Sequence, residues 1–231
     1  MPTITERLQQ VRAEIHRAEQ AAQRLPGSVQ LLAVSKSHGV AEIQEVVAAG
    51  QTAFGESYLQ DAMPKIAALA GAGIEWHFIG PIQSNKTAQI ASYFDWVHSI
   101  DRLKIAQRLN DQRGDRPPLN VCIQVNTSGE SSKSGISVPE LPALAKAITQ
   151  LPHLKLRGLM TIPAPEPDPQ QQRRPFHQLK LCLDQLNQTG MTLDTLSMGM
   201  SDDLGAAIAE GATIVRIGTA IFGPRPSKDK H

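Results

Sequence analysis

Leu31-Leu32-Ala33-Val34-Ser35-Lys36-Ser37-His38-Gly39 opens the reading of the fold. Four apolar residues in a row, closed by turn-forming serine and glycine, describe a buried strand with an amine, Lys36, at its end. An ammonium is costly to desolvate there, which lowers its pKa and frees the amine to attack a carbonyl. The plain alternative is a lysine that leaves the sheet and extends its charge into water. The rest of the chain decides between the two.

On the N-terminal side, Thr3 and Glu6 have capping-box spacing, and Ile4, Leu8, Val11, Ile15 and Ala18 recur at helical intervals until Pro26-Gly27. A helix therefore precedes the first strand. On the C-terminal side the periodicity predicts helices over 40–49, 57–70, 85–92, 101–113, 139–150, 175–188 and 203–210. Between them it predicts strands over 52–55, 74–79, 94–98, 119–126, 154–160, 193–197 and 213–217. With the strand leading to Lys36 these make eight, which indicates an α/β chain folded as a single (β/α)8 TIM barrel. Its usual length of about 250 residues is nearly reached by the 231 here.

No good helix follows the eighth strand, whereas an extra one precedes the first. A closed barrel sets those two strands side by side, so the N-terminal helix is expected to cover the seam. An open doubly wound sheet is the rival, but no glycine-rich dinucleotide fingerprint follows the first strand. The proline- and glutamine-rich segment 163–170 is expected to be an exposed, mobile loop. One domain is expected over 1–223, with a flexible tail over 224–231.

Lys+Arg 23 and Asp+Glu 22 give a formal charge of +1 spread along the chain, so neither nucleic acid nor a membrane surface is an expected partner. Cys122 and Cys182 lie far apart without CxxC spacing, which implies neither a metal site nor a disulfide framework. The N-terminus is charged and no apolar run approaches membrane-spanning length, so the expectation is a soluble, cytoplasmic protein.

A barrel of this kind builds its site at the C-terminal ends of the strands. The residues there are polar: Lys36, Glu56 after Gly55, His77, Asn126, Ser197 and Arg216. His77 and His98, taken singly, read as hydrogen-bonded core histidines. The turns after the last two strands, Ser197-Met198-Gly199-Met200-Ser201 and Ile217-Gly218-Thr219-Ala220, are sharper signals. Barrels often bind phosphate at these two turns; Gly218 permits close backbone approach, and Ser201 and Thr219 supply hydroxyls.

Ordinary turn chemistry is the alternative, since Ser201-Asp202-Asp203 also makes a good helix N-cap. Arg216 weighs against it. It alternates with Val215 and Ile217 on an otherwise apolar strand, so it points into the barrel mouth, where a guanidinium needs a partner. A phosphate cradle, an inward arginine and an amine on the next strand suit a phosphorylated aldehyde. Pyridoxal 5'-phosphate fits, with its phosphate in the cradle, its ring nitrogen toward Arg216 and its aldehyde on Lys36.

The segments LLAVSK, FGESYLQDA, WHFIGPIQSNK, QVNTSGESSKSG, RGLMTIPAP and LSMGMSDDLGAAIAEGATIVRIGTAIFG occur in this order over residues 31–223 and resemble the pyridoxal-phosphate homeostasis proteins. The resemblance implies a barrel of fold type III, similar to the N-terminal domain of alanine racemase but without a second β-domain. It implies pyridoxal 5'-phosphate covalently bound to Lys36 as a Schiff base. Ser201, Gly218 and Thr219 would bind the phosphate with help from the Met200 backbone, Arg216 would face the ring nitrogen, and no metal is implied. Ser57 stands where the family commonly has asparagine. His77, Asn85 and Lys133 lie in shared motifs outside the evident cofactor shell, with Lys133 a candidate secondary acceptor of the aldehyde.

The resemblance further implies a non-catalytic role in homeostasis of vitamin B6 and of amino and keto acids. A monomer would hold the cofactor and hand it to cofactor-dependent apoenzymes. An arginine opposite the ring nitrogen disfavours its protonation and weakens the ring as an electron sink. The alternative, a racemase, needs a second base over the opposite face, and neither tyrosine, Tyr58 early in a predicted helix or Tyr93, is placed there. A third reading is a lyase or aldolase that uses Lys36 on its own substrate.

Overall fold

The computed structural model describes residues 2–129 and 134–224. Eight strands follow one another round a closed parallel barrel: β1 (Gln30–Val34), β2 (Ala53–Glu56), β3 (Glu75–Phe78), β4 (Trp96–Ile100), β5 (Leu119–Gln124), β6 (Leu154–Met160), β7 (Thr195–Ser197) and β8 (Ile214–Ile217). The ring closes where β1 pairs with β8, Leu32 opposite Arg216 and Ala33 opposite Ile217. Strands covered on both faces tend to carry apolar residues at successive positions, as residues 31–34 do in β1.

The helices lie outside: α1 (Ile4–Ala21), α2 (Val40–Ala48), α3 (Leu59–Ala68), α4 (Thr87–Tyr93), α5 (Leu103–Asp111), α6 (Leu141–Ile148), α7 (Pro169–Gln188), α8 (Leu204–Ala209) and the single turn α9 (Thr219–Phe222). Most of the core fills the layer between barrel and helices. Inside the barrel, Leu32, Ala53 and Ile214 pack with Ile79, and Trp96, Cys122 and Met160 form a second cluster, so the interior is filled rather than a pore. Among the described residues no helix is long and apolar enough to cross a membrane.

The extra helix does cover the seam. Its capping box is formed, with Glu6 N donating to Thr3 Oγ1 (3.1 Å) and Thr3 N to Glu6 Oε2 (2.7 Å). Arg7 Nε donates to Ile221 O (2.6 Å) and Arg24 Nη1 to Ala212 O (2.6 Å), which fastens both ends of α1 to the elements around β8. The helix stops at Ala21 rather than at Pro26-Gly27, because the chain turns at Gln23, whose φ is 54°.

Three further boundaries differ from the sequence expectation in ways that matter. β1 ends at Val34, so Lys36 stands in the following turn rather than on the strand. β4 runs to Ile100, which puts His98 inside the strand. α7 starts at Pro169 rather than Pro175, because Asp168 caps it by accepting from Gln170 N (2.9 Å) and proline suits the first turn. The loop before it is tied down in part: Pro163 is buried, Ala164 N donates to Ser128 Oγ (3.2 Å) and Gln172 Nε2 to Glu166 O (2.7 Å). Beyond Pro224 the expected flexible tail lies outside the described residues, as does Lys133.

A candidate cofactor site at the barrel mouth

The turn that carries Lys36 is gripped from below by polar groups. Ser35 N donates to Gly55 O (3.1 Å), and Ser35 Oγ donates to Glu56 Oε1 (2.6 Å). Lys65 Nζ, from α3, donates to the same carboxylate oxygen (2.8 Å) and to Ser35 O (2.9 Å). Glu56 is fully buried, and its Oε2 has no hydrogen-bond partner among the described residues. Burial pushes the Glu56 carboxyl up, against the opposing pull of the Lys65 ammonium.

On its other side the turn is strained and then anchored. Ser37 has φ 69°, a left-handed conformation that costs a non-glycine residue roughly 1–3 kcal/mol. Next, His38 N donates to Ser35 O (3.1 Å), and the His38 ring stacks on Phe222 of α9 with centroids 4.9 Å apart. His38 Nδ1 lies 3.0 Å from Glu42 Oε1, an acceptor, so that nitrogen carries the proton. Lys36, half-buried, is thus held between β2 and the turn after β8.

β8 comes close at the same level. A Cβ on Gly218 would meet Val34 O at 3.1 Å and Val34 Cβ at 3.4 Å, so this glycine lets its loop lie against the end of β1. Ser201 and Thr219 present exposed side chains at the mouth. α9 is closed by Ile221 N and Phe222 N, both donating to Gly218 O (2.9 Å), which leaves the Thr219 and Ala220 amides at its open end. The turn after β7 requires Gly199, whose φ is 99° and whose Cβ would stand 2.6 Å from that of Ala207.

That turn also carries a hydrogen bond of its own. Met200 N donates to Asp203 Oδ1 (2.6 Å), so its amide is committed in this geometry rather than open to a phosphate. Asp203 holds the N-cap position of α8 without a side-chain capping bond, its carboxylate having turned back to Met200. Burial raises the Asp203 carboxyl.

Arg216 points inward as its alternation suggests. It is 4% exposed, and it donates from Nη1 to Ser197 Oγ (2.9 Å) and from Nη2 to Thr161 O (2.9 Å). Burial lowers its pKa to about 10, with Asp203 pulling the other way, so it remains a cation at neutral pH. Ser197 Oγ is also 2.7 Å from His98 Nδ1.

Other residues singled out from sequence have contacts of their own. Asn126 Oδ1 accepts from Ser128 N (3.2 Å) and Gly129 N (3.1 Å) and so shapes its own loop. Ser57 O would be 2.0 Å from a Cβ on Gly80, a close approach that only glycine allows. Ser57 and Tyr58 line a separate cavity of about 260 Å³ with Phe78 and Lys86, and Asn85 sits in the short turn Ser84–Lys86. Tyr58 is exposed, and Tyr93 ends α4, which puts it at the opposite end of the barrel. The sequence reading missed Ser35, His38, Lys65 and Thr161. Only Lys65 left a trace, a charge spaced helically with the buried Leu59 and Ala62.

With this geometry in view, the comparisons with known proteins are specific. The family described as alanine racemase, N-terminal domain, matches residues 8–226. A protein of Pseudomonas aeruginosa is 59% identical over 226 residues, spanning 97% of each chain, and one of Escherichia coli K12 is 51% identical over 234 residues, spanning all of both. Both are named pyridoxal phosphate homeostasis protein. The chain belongs to this family.

Among solved structures, the homeostasis-family chain is similar to PipY of Synechococcus elongatus, determined with PLP bound. The identity is 38% and the TM-score 0.84, with 96% of this chain and 100% of that one covered. Alanine racemase from Corynebacterium glutamicum shares the fold at 22% identity and TM-score 0.70, and the homeostasis-family chain spans 62% of it.

Proposed function

We propose that this protein binds pyridoxal 5'-phosphate at the mouth of its barrel, holds it covalently on Lys36, and serves intracellular vitamin B6 and amino- and keto-acid homeostasis rather than amino-acid turnover. The observation that carries this reading is the contact of Gly218 with Val34, which brings the Lys36 turn and the hydroxyl-bearing loop after β8 together over the inward Arg216. The names of relatives at 59% and 51% identity, and the PLP bound to PipY, support it.

The donor set fits the cofactor. A phosphate dianion needs several N–H or O–H donors, and the exposed Ser201 and Thr219 hydroxyls, the Thr219 and Ala220 amides and the close-lying Gly218 backbone supply them. Met200 N becomes a donor only by giving up its bond to Asp203. When bound, the cofactor supplies an aldehyde for covalent attachment and an electron-withdrawing ring. Ser35, Glu56 and Lys65 fix the backbone that presents the Lys36 amine, and Arg216 keeps a cation in the mouth that disfavours a proton on the ring nitrogen.

That cation also argues for a carrier. A racemase needs a second base across the ring, and of the tyrosines Tyr58 is exposed beside another cavity while Tyr93 is at the far end. In this reading residues 1–223 act as one cofactor-binding unit, a cytoplasmic monomer, with cofactor-dependent apoenzymes as acceptors.

The test begins with the purified protein. It should be yellow, and borohydride should fix the cofactor to the Lys36 peptide, whereas Lys36→Ala should be colourless. Incubation of the loaded protein with L-alanine in deuterated water should produce no α-deuteration, while a cofactor-free aminotransferase should regain activity. Main labelling at another lysine overturns the site, and rapid racemisation without transfer replaces the carrier with a racemase.

A further inference from the structure

A chain of buried polar groups runs from the site through the barrel to the rim where the strands begin. Arg216 Nη1 meets Ser197 Oγ at 2.9 Å, Ser197 Oγ meets His98 Nδ1 at 2.7 Å, His98 Nε2 meets His77 Nδ1 at 2.8 Å, and His77 Nε2 meets Glu75 Oε1 at 2.8 Å. Ser197, His98 and His77 are almost wholly inaccessible, and Glu75 alone reaches solvent. Trp96 stacks on His77 with planes 6° apart and centroids 5.4 Å apart, which fixes the ring's orientation.

The two ends determine every proton between them. Glu75 is held as a carboxylate, chiefly by the hydrogen bond from His77, and a carboxylate only accepts, so His77 Nε2 carries the hydrogen. Burial keeps both imidazoles neutral, and a neutral imidazole has one bare nitrogen. His77 Nδ1 is therefore bare and accepts from His98 Nε2–H. His98 Nδ1 is then bare in turn and accepts the Ser197 hydroxyl, whose oxygen accepts from Arg216. Every donor points toward Glu75 and no buried group in the chain lacks a partner.

A merely packed interior has no need of this. Leu32, Ala53 and Ile214 fill a neighbouring part of the same barrel with apolar groups, and two buried imidazoles are tolerated only when fully bonded. We propose that His98 and His77 are positioning residues of the cofactor site: through Ser197 they hold Arg216 as a donor of one fixed orientation, and so set the electronic state of the bound ring. This rests on the pyridoxal 5'-phosphate reading above. It makes Glu75, at the opposite rim, a determinant of cofactor properties without any contact to the cofactor.

The test has two parts. In the unmodified protein, ¹⁵N resonances of the imidazoles should show hydrogen on Nε2 of both His77 and His98; hydrogen on Nδ1 of either would overturn the relay. In the loaded protein, Glu75→Ala should shift the visible band of the bound cofactor and the resonance of its ¹⁵N-labelled ring nitrogen. Glu75→Gln, whose amide oxygen still accepts from His77, should restore both. Being at the rim, these variants do not burden the core; His98→Leu, if folded, should produce the same shift as Glu75→Ala. A Glu75→Ala band identical to the parent's at full occupancy overturns this inference alone. Failure of the unmodified protein to take up the cofactor on Lys36 overturns the parent reading and this one with it.

Discussion

Ser35 Oγ donates to Glu56 Oε1 over 2.6 Å, one residue before the lysine on which the proposed chemistry depends. The same oxygen takes the Lys65 ammonium at 2.8 Å, so a buried ion pair, rather than the strand itself, sets the position of the Lys36 turn. Removing one member of such a pair strands the other. Glu56→Ala should therefore destabilise the protein by about 3–5 kcal/mol in urea unfolding. Glu56→Leu combined with Lys65→Met should recover most of that loss, since apolar replacement of a whole buried pair is often neutral. The double variant should still show less borohydride labelling at Lys36, because Ser35 has lost its anchor. Full stability of Glu56→Ala would mean that Lys65 finds another acceptor.

Phosphate contacts should dominate affinity. Hydrogen bonds to a charged acceptor contribute roughly 1.5–3 kcal/mol each, so Ser201→Ala with Thr219→Ala should weaken pyridoxal 5'-phosphate binding at least about tenfold. Pyridoxal without its phosphate should bind the unmodified protein poorly. Equal affinity for both compounds in an equilibrium titration would remove the cradle from the site.

The barrel was legible because its strands are short, mainly apolar segments that alternate with helical periodicity, and β6 was read over the residues it occupies, Leu154–Met160. Boundaries slipped where one signal masked another, as at Pro175, which reads as a helix start only while the Asp168-Pro169 cap upstream is overlooked. Lys36, Arg216 and Gly218 were legible for local reasons: an amine after a run, a charge among alternating aliphatics, a glycine at a turn. The clamp under Lys36 was not, because it joins β1, β2 and α3, and the histidine chain joins β3, β4, β7 and β8. Only barrel closure brings those residues together, so neither arrangement has a spacing in the sequence. The bond from the Met200 amide to a carboxylate three residues on was likewise not read from the sequence.

Arg216→Glu reverses the charge that faces the mouth. Ser197 Oγ and Thr161 O lose their donor, and the new carboxylate offers the ring nitrogen an acceptor that favours its protonation. Covalent attachment to Lys36 should survive, as shown by borohydride labelling, while the visible spectrum and the reactivity toward amino acids change. An unaltered spectrum at full occupancy would put Arg216 outside the site.

Acid should destabilise the fold through its buried histidines. Burial lowers the His77 pKa and places that of His98 well below 6.5, so below pH 6.5 the unfolded chain takes up protons that the folded one refuses. Their effect is absent above that pH and grows as pH falls toward the folded-state values, with a slope of about 1.4 kcal/mol per pH unit for each histidine. Glu56 acts with the opposite sign, since its raised pKa makes the fold lose stability as pH rises through the folded-state value. A single-site comparison separates the two. His98→Gln, which keeps a donor and an acceptor at that position but cannot titrate, should lose close to one histidine's share of the acid slope while Glu56 contributes equally to both proteins. Urea midpoints measured across the acid range decide the matter: parallel stability curves for parent and variant would show that folded His98 accepts a proton as readily as the unfolded chain does.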